Sequence, residues 1–180
     1  VANAPVFHYN PALFWDGVAK RKSAVWLRQK ELGIWQSWTW ARTGDIVQEI
    51  GHGLISLGLE RGACASILAN TKVEWVWCDL AILSCAAVAN GIYPTDAAAQ
   101  VHYLSEDSRT TVLFVEDDEQ LDKALEVRDQ LPMLQKIVVF NMEGLSDLDD
   151  PQIISLADLR QLGLAHAQAH PNALNERIAV

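Results

Sequence analysis

The sequence predicts an α/β fold: a parallel sheet with flanking helices, preceded by a β-hairpin. Three observations carry that reading. Short apolar runs recur along the chain: "CASILA" (64–69), "VANGI" (88–92), "TVLFV" (111–115) and "KIVVF" (136–140). Segments with apolar residues at helical spacing separate them, and strand–helix alternation is the pattern of a parallel sheet with crossover helices. Half of the 180 residues are hydrophobic and 21% are charged, enough to fill the core of such a layered domain.

Residues 1–22 read as an irregular lead containing a short helix from Pro11 to Lys20. From Ala24 to Trp40, "AVWLRQ" and "GIWQSWTW" flank Lys30-Glu31-Leu32-Gly33, a hairpin in which Gly33 supplies the turn. Trp35, Trp38 and Trp40 cannot all share one face of a strand with period two, so one of them begins the next element. That element is a helix from Trp40 to Leu57, with Thr39 as N-cap and Gly58 past its end. Ile46, Ile50, Gly53, Leu54 and Leu57 form its apolar stripe, and Asp45, Gln48, Glu49, His52 and Ser56 are expected on its other, polar face. Residues 73–87 are apolar nearly all round, so both faces of that helix should be covered. Asp79 within it needs a hydrogen-bonding or charged partner. Pro94-Thr95-Asp96 is expected to open the following helix. Asp117 and Gln120 have capping-box spacing ahead of the helix carrying Leu121, Ala124, Leu125 and Arg128. The acid run Glu116–Glu119 reads as capping and solvation. An acidic loop (141–151) follows "KIVVF"; Ser155 with Asp158 starts a last short helix, and the tail from residue 164 shows no clear core face.

Composition excludes several functions. The net charge of −9, from 23 acids against 14 Lys and Arg, opposes a nucleic-acid partner or attraction to anionic lipid. The apolar stretch 74–95 is interrupted by Asp79 and ended by Gly91 and Pro94, so it reads as a buried helix followed by a strand rather than a membrane span. Cys64, Cys78 and Cys85 form no C-x-x-C pair and read as reduced core thiols of a cytoplasmic protein. "GHGLISLG" (51–58) mimics a dinucleotide loop but lies inside an amphipathic helix instead of after a strand; its glycines are expected to serve close packing. No P-loop, H-E-x-x-H or G-x-S-x-G motif occurs, and His8, His52, His102, His166 and His170 are scattered along the sequence.

One feature of the sequence goes further than patterning. "GIWQSWTW", "LISLGLERG", "SILANTKVEW", "CDLAILSCAAVANGIYPT" and "FVEDDEQLDKALEVRDQLPMLQKIVVF" occur in an order that resembles the N-terminal portion of the adenylate-forming acyl-CoA synthetases, most of all the bacterial long-chain fatty-acid–CoA ligases of the AMP-binding superfamily. The resemblance covers residues 24–163. It implies a Rossmann-like or flavodoxin-like sub-domain over residues 23–163, an incomplete part of a larger N-terminal domain, with 164–180 leading toward a phosphate loop. Two departures touch turns and helix ends: Gly62-Ala63 where the family has Gly-Asp, and Arg42 where it has an acid three residues after the cap threonine.

The resemblance also implies chemistry. Such enzymes use ATP and Mg²⁺ to turn a fatty or other carboxylic acid, aromatic acids included, into an acyl-adenylate, then pass the acyl group to coenzyme A. Their phosphate loop, Tyr-Gly-x-Thr-Glu stretch, ribose-holding Asp and C-terminal Lys have no counterpart here. No catalytic or metal residue is therefore expected, and the fragment alone should be inactive, binding none of ATP, Mg²⁺ or CoA. Ile92, Tyr93, Pro94 and Thr95 match a turn near the CoA entrance, where Tyr93 offers a face for stacking on adenine. The competing reading packs Tyr93 on the sheet and lets Pro94 start the helix. A sub-domain of this kind leaves an unpaired strand edge and an apolar patch, so self-association is expected. Two other readings remain: a free-standing binding or regulatory module derived from this sub-domain, and an unrelated flavodoxin-like enzyme with a complete site of its own.

Overall fold

The computed structural model describes residues 10–178; the expected irregular lead over residues 1–9 lies outside the described residues. Five parallel strands form the central sheet: β3 (Cys64–Leu68), β4 (Val88–Ile92), β5 (Thr110–Val115), β6 (Lys136–Val139) and β7 (Ile153–Ser155), in the order β4-β3-β5-β6-β7. In register, Leu68 lies between Ile92 and Val115, so these three strands end level at their carboxyl edge. β7 was not expected. Three residues after an acidic loop are too few for a strand period to show, and pairing of Ile153 and Ile154 with Ile137 and Val138 makes the strand. An antiparallel hairpin of β1 (Val25–Glu31) and β2 (Ile34–Thr39) precedes the sheet. Leu32 and Gly33 both have positive φ (46° and 83°), as its two-residue turn requires.

Each sheet face has its own core. On β5, Val112 and Phe114 point one way and Leu113 and Val115 the other, the alternation a pleated strand imposes. Helices α4 (Ala98–Asp107) and α5 (Asp118–Val127) cover the Leu113 face through Val101, Leu121 and Ala124. The opposite face carries α1 (Asn10–Arg21), α2 (Trp40–Ser56), α3 (Val73–Ser84), α6 (Leu156–Ala169) and α7 (Ala173–Ile178). Fully buried side chains such as Ile50, Leu54, Ile82 and Phe114 dominate this layer, each contributing about 1.5–3 kcal/mol of transfer free energy. No residue of α3 is exposed, as its all-round apolar sequence predicts.

The tryptophans join the appended elements to the sheet layer. Trp26 of β1 stacks on Trp40, the first residue of α2, with ring centres 4.3 Å apart. Phe14 of α1 packs against both, and Trp15 Nε1 donates to Ser84 Oγ at 3.0 Å. Thr39 caps α2 by accepting from Arg42 N. The cap bond needs only the backbone of residue 42, so the departure to arginine leaves it intact.

Helix α6 corrects the expected polar face of α2. It is 14 residues long, not short, and Ser155 caps it by accepting from Asp158 N. It lies along α2 so closely that a Cβ on Gly163 would sit 1.7 Å from the Glu49 carbonyl oxygen, and one on Gly53 2.4 Å from that of Leu159. Gly51 and Gly53 thus serve packing, as expected, whereas Gly58 lies past the end of α2 with a positive φ of 87° and no close neighbour. The same contact buries His52 completely and brings its Nδ1 to 3.0 Å from His166 Nδ1. His170 lies against His166, ring centres 4.8 Å apart, so folding gathers three histidines the sequence scatters. Burial first, then the neighbouring imidazoles, pushes His52 and His166 below the usual histidine range. The tail does have a core residue: Leu174 of α7 is buried and sits over Gly51.

Two further expectations change. Pro94 does not open α4, which begins at Ala98. Residues 93–96 instead form a turn closed by Asp96 N donating to Tyr93 O. Asp79 is only half-buried, and among the described residues no hydrogen-bonding or ionic partner meets it. Burial alone pushes its carboxyl up. No helix among the described residues is long and apolar enough to cross a membrane.

Candidate functional site

In open α/β sheets ligands bind outside the carboxyl ends of the strands. Here β3, β4 and β5 present that edge through Asn70, Lys72, the 92–95 turn and Glu116. Glu116 follows β5 directly and is buried. Its Oε2 accepts from Asn70 N at 2.7 Å and Asn70 Nδ2 at 2.9 Å. Its Oε1 lies 3.2 Å from Lys72 Nζ. Burial alone would raise this carboxyl; the Asn70 bonds and the Lys72 ammonium outweigh it and hold Glu116 below the usual glutamate range. The acid run therefore divides. Glu116 is a buried anchor rather than a solvated acid, Asp117 caps α5 by accepting from Gln120 N at 3.2 Å, and Asp118 and Glu119 lie in its first turn.

The start of α3 is completed from outside its own sequence. Lys72, its N-cap residue, makes no side-chain cap bond. Gln29 Oε1 of β1 accepts from Val73 N at 3.0 Å instead, satisfying one of the amides a helix start leaves free.

Between the β3 and β4 ends lies an open groove of about 300 Å³ lined by Ala69, Thr71, Trp75, Gly91, Ile92 and Tyr93. The four candidate residues divide around it. Ile92 is buried in the sheet core and Tyr93 is 75% exposed, so Tyr93 does not pack on the sheet. Pro94 is half-buried and Thr95 exposed. Lys123 Nζ of α5 donates to Pro94 O at 2.6 Å and pins the turn. Sequence reasoning missed Asn70, Lys72, Gln29 and Lys123. The first two stand just past a strand end, a readable signal once β3 and β5 are known to be neighbours; Gln29 and Lys123 act from distant elements and leave none.

This edge does not fit a nucleotide–metal complex. Lys72 and Glu116 neutralise each other, Lys123 is held by Pro94 O and Gln120 Oε1, and among the described residues no three His, Cys, Asp or Glu side chains converge as metal ligands. The edge supplies a rim in which Lys72 pairs with Glu116 and Lys123 with Glu119, beside a groove with two aromatic residues, Trp75 and Tyr93.

Comparison with known proteins agrees with the fold. The chain is 32% identical over 147 residues to the long-chain-fatty-acid–CoA ligase FadD15 of Mycobacterium bovis, a match covering 82% of this chain and 23% of that protein. It is 32% identical over 131 residues to the long-chain-fatty-acid–CoA ligase ACSBG2 of Xenopus laevis, covering 73% of this chain and 18% of that one. The chain thus spans about a quarter or less of these curated relatives. Among solved structures, the anthranilate CoA ligase AuaEII in complex with anthranoyl-AMP superposes with a TM-score of 0.76 at 23% identity, over 88% of this chain and 29% of that one. The coronafacic acid ligase of Pectobacterium brasiliense gives 0.75 at 16% identity, over 85% and 29%; at such identities these two speak for the fold. The family model described as "AMP-binding enzyme" matches residues 14–176, nearly every described element. The chain belongs to the AMP-binding enzyme family.

Proposed function

We propose that this chain is the first α/β sub-domain, residues 23–163 with 164–180 as the lead toward the phosphate loop, of a cytoplasmic long-chain fatty-acid–CoA ligase. The whole protein would form an acyl-adenylate from ATP and a fatty acid, with Mg²⁺, and then the CoA thioester. These residues serve as scaffold and do no chemistry themselves. The observation that carries this reading is the Lys72–Glu116–Asn70 lock at the carboxyl edge: its charged groups are spent on each other, so it orders the rim without gripping a phosphate chain. Its test is an adenylation assay on the 180-residue chain with ATP, Mg²⁺ and a panel of carboxylic acids, beside a chain of the relatives' length that carries this region. Acyl-CoA formation by the long chain alone supports the reading. Adenylate formation by the short chain overturns it, and saturable acyl-CoA binding by the short chain favours the free-standing binding module.

Within this reading the 92–95 turn borders the CoA entrance. Tyr93, exposed beside the groove, would stack on the adenine ring. In the long chain, Tyr93→Ala is expected to raise KM for CoA roughly three- to tenfold with kcat unchanged. An unchanged KM removes Tyr93 from the entrance.

β4 is an edge strand with Val88 exposed on it and Tyr93 exposed just past its end, and an open edge invites pairing. Sedimentation velocity of the 180-residue chain is expected to show a dimer growing with concentration. A single monomeric species across a wide concentration range contradicts this.

A further inference from the structure

The histidines gathered at the α2–α6 crossing compete for protons. His52 is fully buried. Its Nδ1 lies 3.0 Å from His166 Nδ1, a space that holds one N–H, donated by one ring and accepted by the other. Its Nε2 is also buried and has no hydrogen-bond partner. A protonated imidazole donates from both nitrogens. A cation at His52 would therefore lack an acceptor at Nε2 and lack solvent, the costly state of a buried charge. Charging His52 and His166 together would also set two N–H groups head to head. His170 is exposed at the carboxyl end of α6, where the helix dipole favours a cation. With ring centres 4.8 Å apart, a charge there further opposes one on His166.

The charged groups around the cluster are engaged elsewhere. On α2, Glu49 pairs with Arg160 of α6 and with Arg42, and the exposed Asp45 stands two turns from His52. On α6, Asp158 is bonded to Ser155. On α7, Arg177 donates to Leu59 O and Cys85 O, and Glu176 lines an open groove with His166 and His170 that His52 does not line. On α3, Glu74 and Asp79 act on Cys78. After its end, Cys85 donates to Gly51 O as a neutral thiol, pushed up to about 12 by burial. α1 brings Asp16, Lys20 and Arg21 to the amino-terminal end of α2, where Arg21 lies over Trp40.

We propose that the His52–His166–His170 cluster is a proton-operated clasp, holding α6 and α7 on α2 while His52 is neutral and releasing them when His52 is charged. Relief comes by release rather than adjustment, because backbone rests on backbone at Gly53 and Gly163. Burial and the neighbouring imidazoles hold His52 below the usual histidine range in the clasped state. Once released it titrates near the ordinary value of about 6.5, so the released state binds one proton more. The clasp is complete above about pH 6.5 and weakens, by up to about tenfold per pH unit, as the pH falls toward the lower clasped-state value. It is independent of the ligase reading, since it uses only the packing of α6 and α7 on α2.

Amide hydrogen exchange of the 180-residue chain, corrected for the intrinsic rate at each pH, tests this. Between about pH 7.5 and pH 5, protection of residues 159–178 is expected to fall about tenfold or more, while that of Thr110–Val115 changes by about twofold or less. His52→Gln keeps a polar group beside His166 Nδ1 but takes up no proton, and should reduce the fall to about twofold or less. His102→Gln, on α4 across the sheet, should leave it unchanged. Imidazole ¹H–¹⁵N spectra of the parent chain read the same event whether or not His52→Gln folds: His52 is expected to stay neutral for as long as α6 is protected. Protection independent of pH, a charged His52 with α6 still protected, a fall shared in full by Thr110–Val115, or an equal fall in folded His52→Gln would each overturn the proposal. The adenylation assay decides the ligase reading separately.

Discussion

Gly163→Ala is expected to destabilise the fold by about 3 kcal/mol or more, the upper end of what overpacking costs. The added methyl would stand 1.7 Å from the Glu49 carbonyl oxygen and 2.9 Å from Gly53 N. Both obstacles are backbone atoms of a helix, which cannot swing aside as a side-chain tip can. Relief requires α6 to move off α2. That movement would open the His52–His166 contact and the Arg160–Glu49 ion pair, where Nη2 and Oε2 are 2.6 Å apart. Urea denaturation followed by tryptophan fluorescence measures the loss. Gly144→Ala is the contrasting control: Gly144, unlike the helical Gly163, has a positive φ, 80°, and nothing lies within 4 Å of an added Cβ. Its cost should be only about 1 kcal/mol, from left-handed backbone strain. Equal losses in the two variants would show that the α2–α6 crossing tolerates a methyl group.

Glu116→Ala is expected to cost about 1–2 kcal/mol, because it removes the shared acceptor of the Asn70 backbone and side-chain amides and the partner of the half-exposed Lys72 ammonium. Its pH dependence identifies the cause. Glu116 titrates lower in the folded protein than in the unfolded chain, so at acid pH the unfolded state takes up the proton first. The carboxylate's contribution is therefore complete above the ordinary glutamate value of about 4.3 and is lost as the pH falls through the lower folded-state value. The stability gap between the parent chain and Glu116→Ala should be constant near neutrality and shrink below about pH 4. A gap independent of pH down to acid unfolding would mean that Glu116 acts by packing alone.

The elements legible in the sequence are those whose signal is local. Thr39, Asp117 and Ser155 each cap a helix by accepting from the amide three residues on, a bond within one stretch of chain. The turn at Leu32-Gly33 is legible for the same reason. Cys64–Leu68 and Thr110–Val115 are continuous apolar runs because both sheet faces are covered, which also marks the sheet as parallel. The ordered motifs carried the family, since they follow the chain and need no spatial knowledge.

What the sequence hides is whatever two distant segments make together. β7 exists only as a neighbour of β6, and His52 is read as polar-face because a helical period cannot say that α6, more than a hundred residues later, covers that face. Glu116 belongs to an acid run by sequence; Asn70 and Lys72 turn it into an anchor because β3 and β5 end side by side. The sequence by itself determined the helix starts, the main strands and the family, since these depend on interactions within a few residues of the chain. The tertiary structure alone decided which polar groups are buried and which of their hydrogen bonds are satisfied, because a charge or an imidazole takes its energy from the dielectric and partners around it, and those come from elsewhere in the chain.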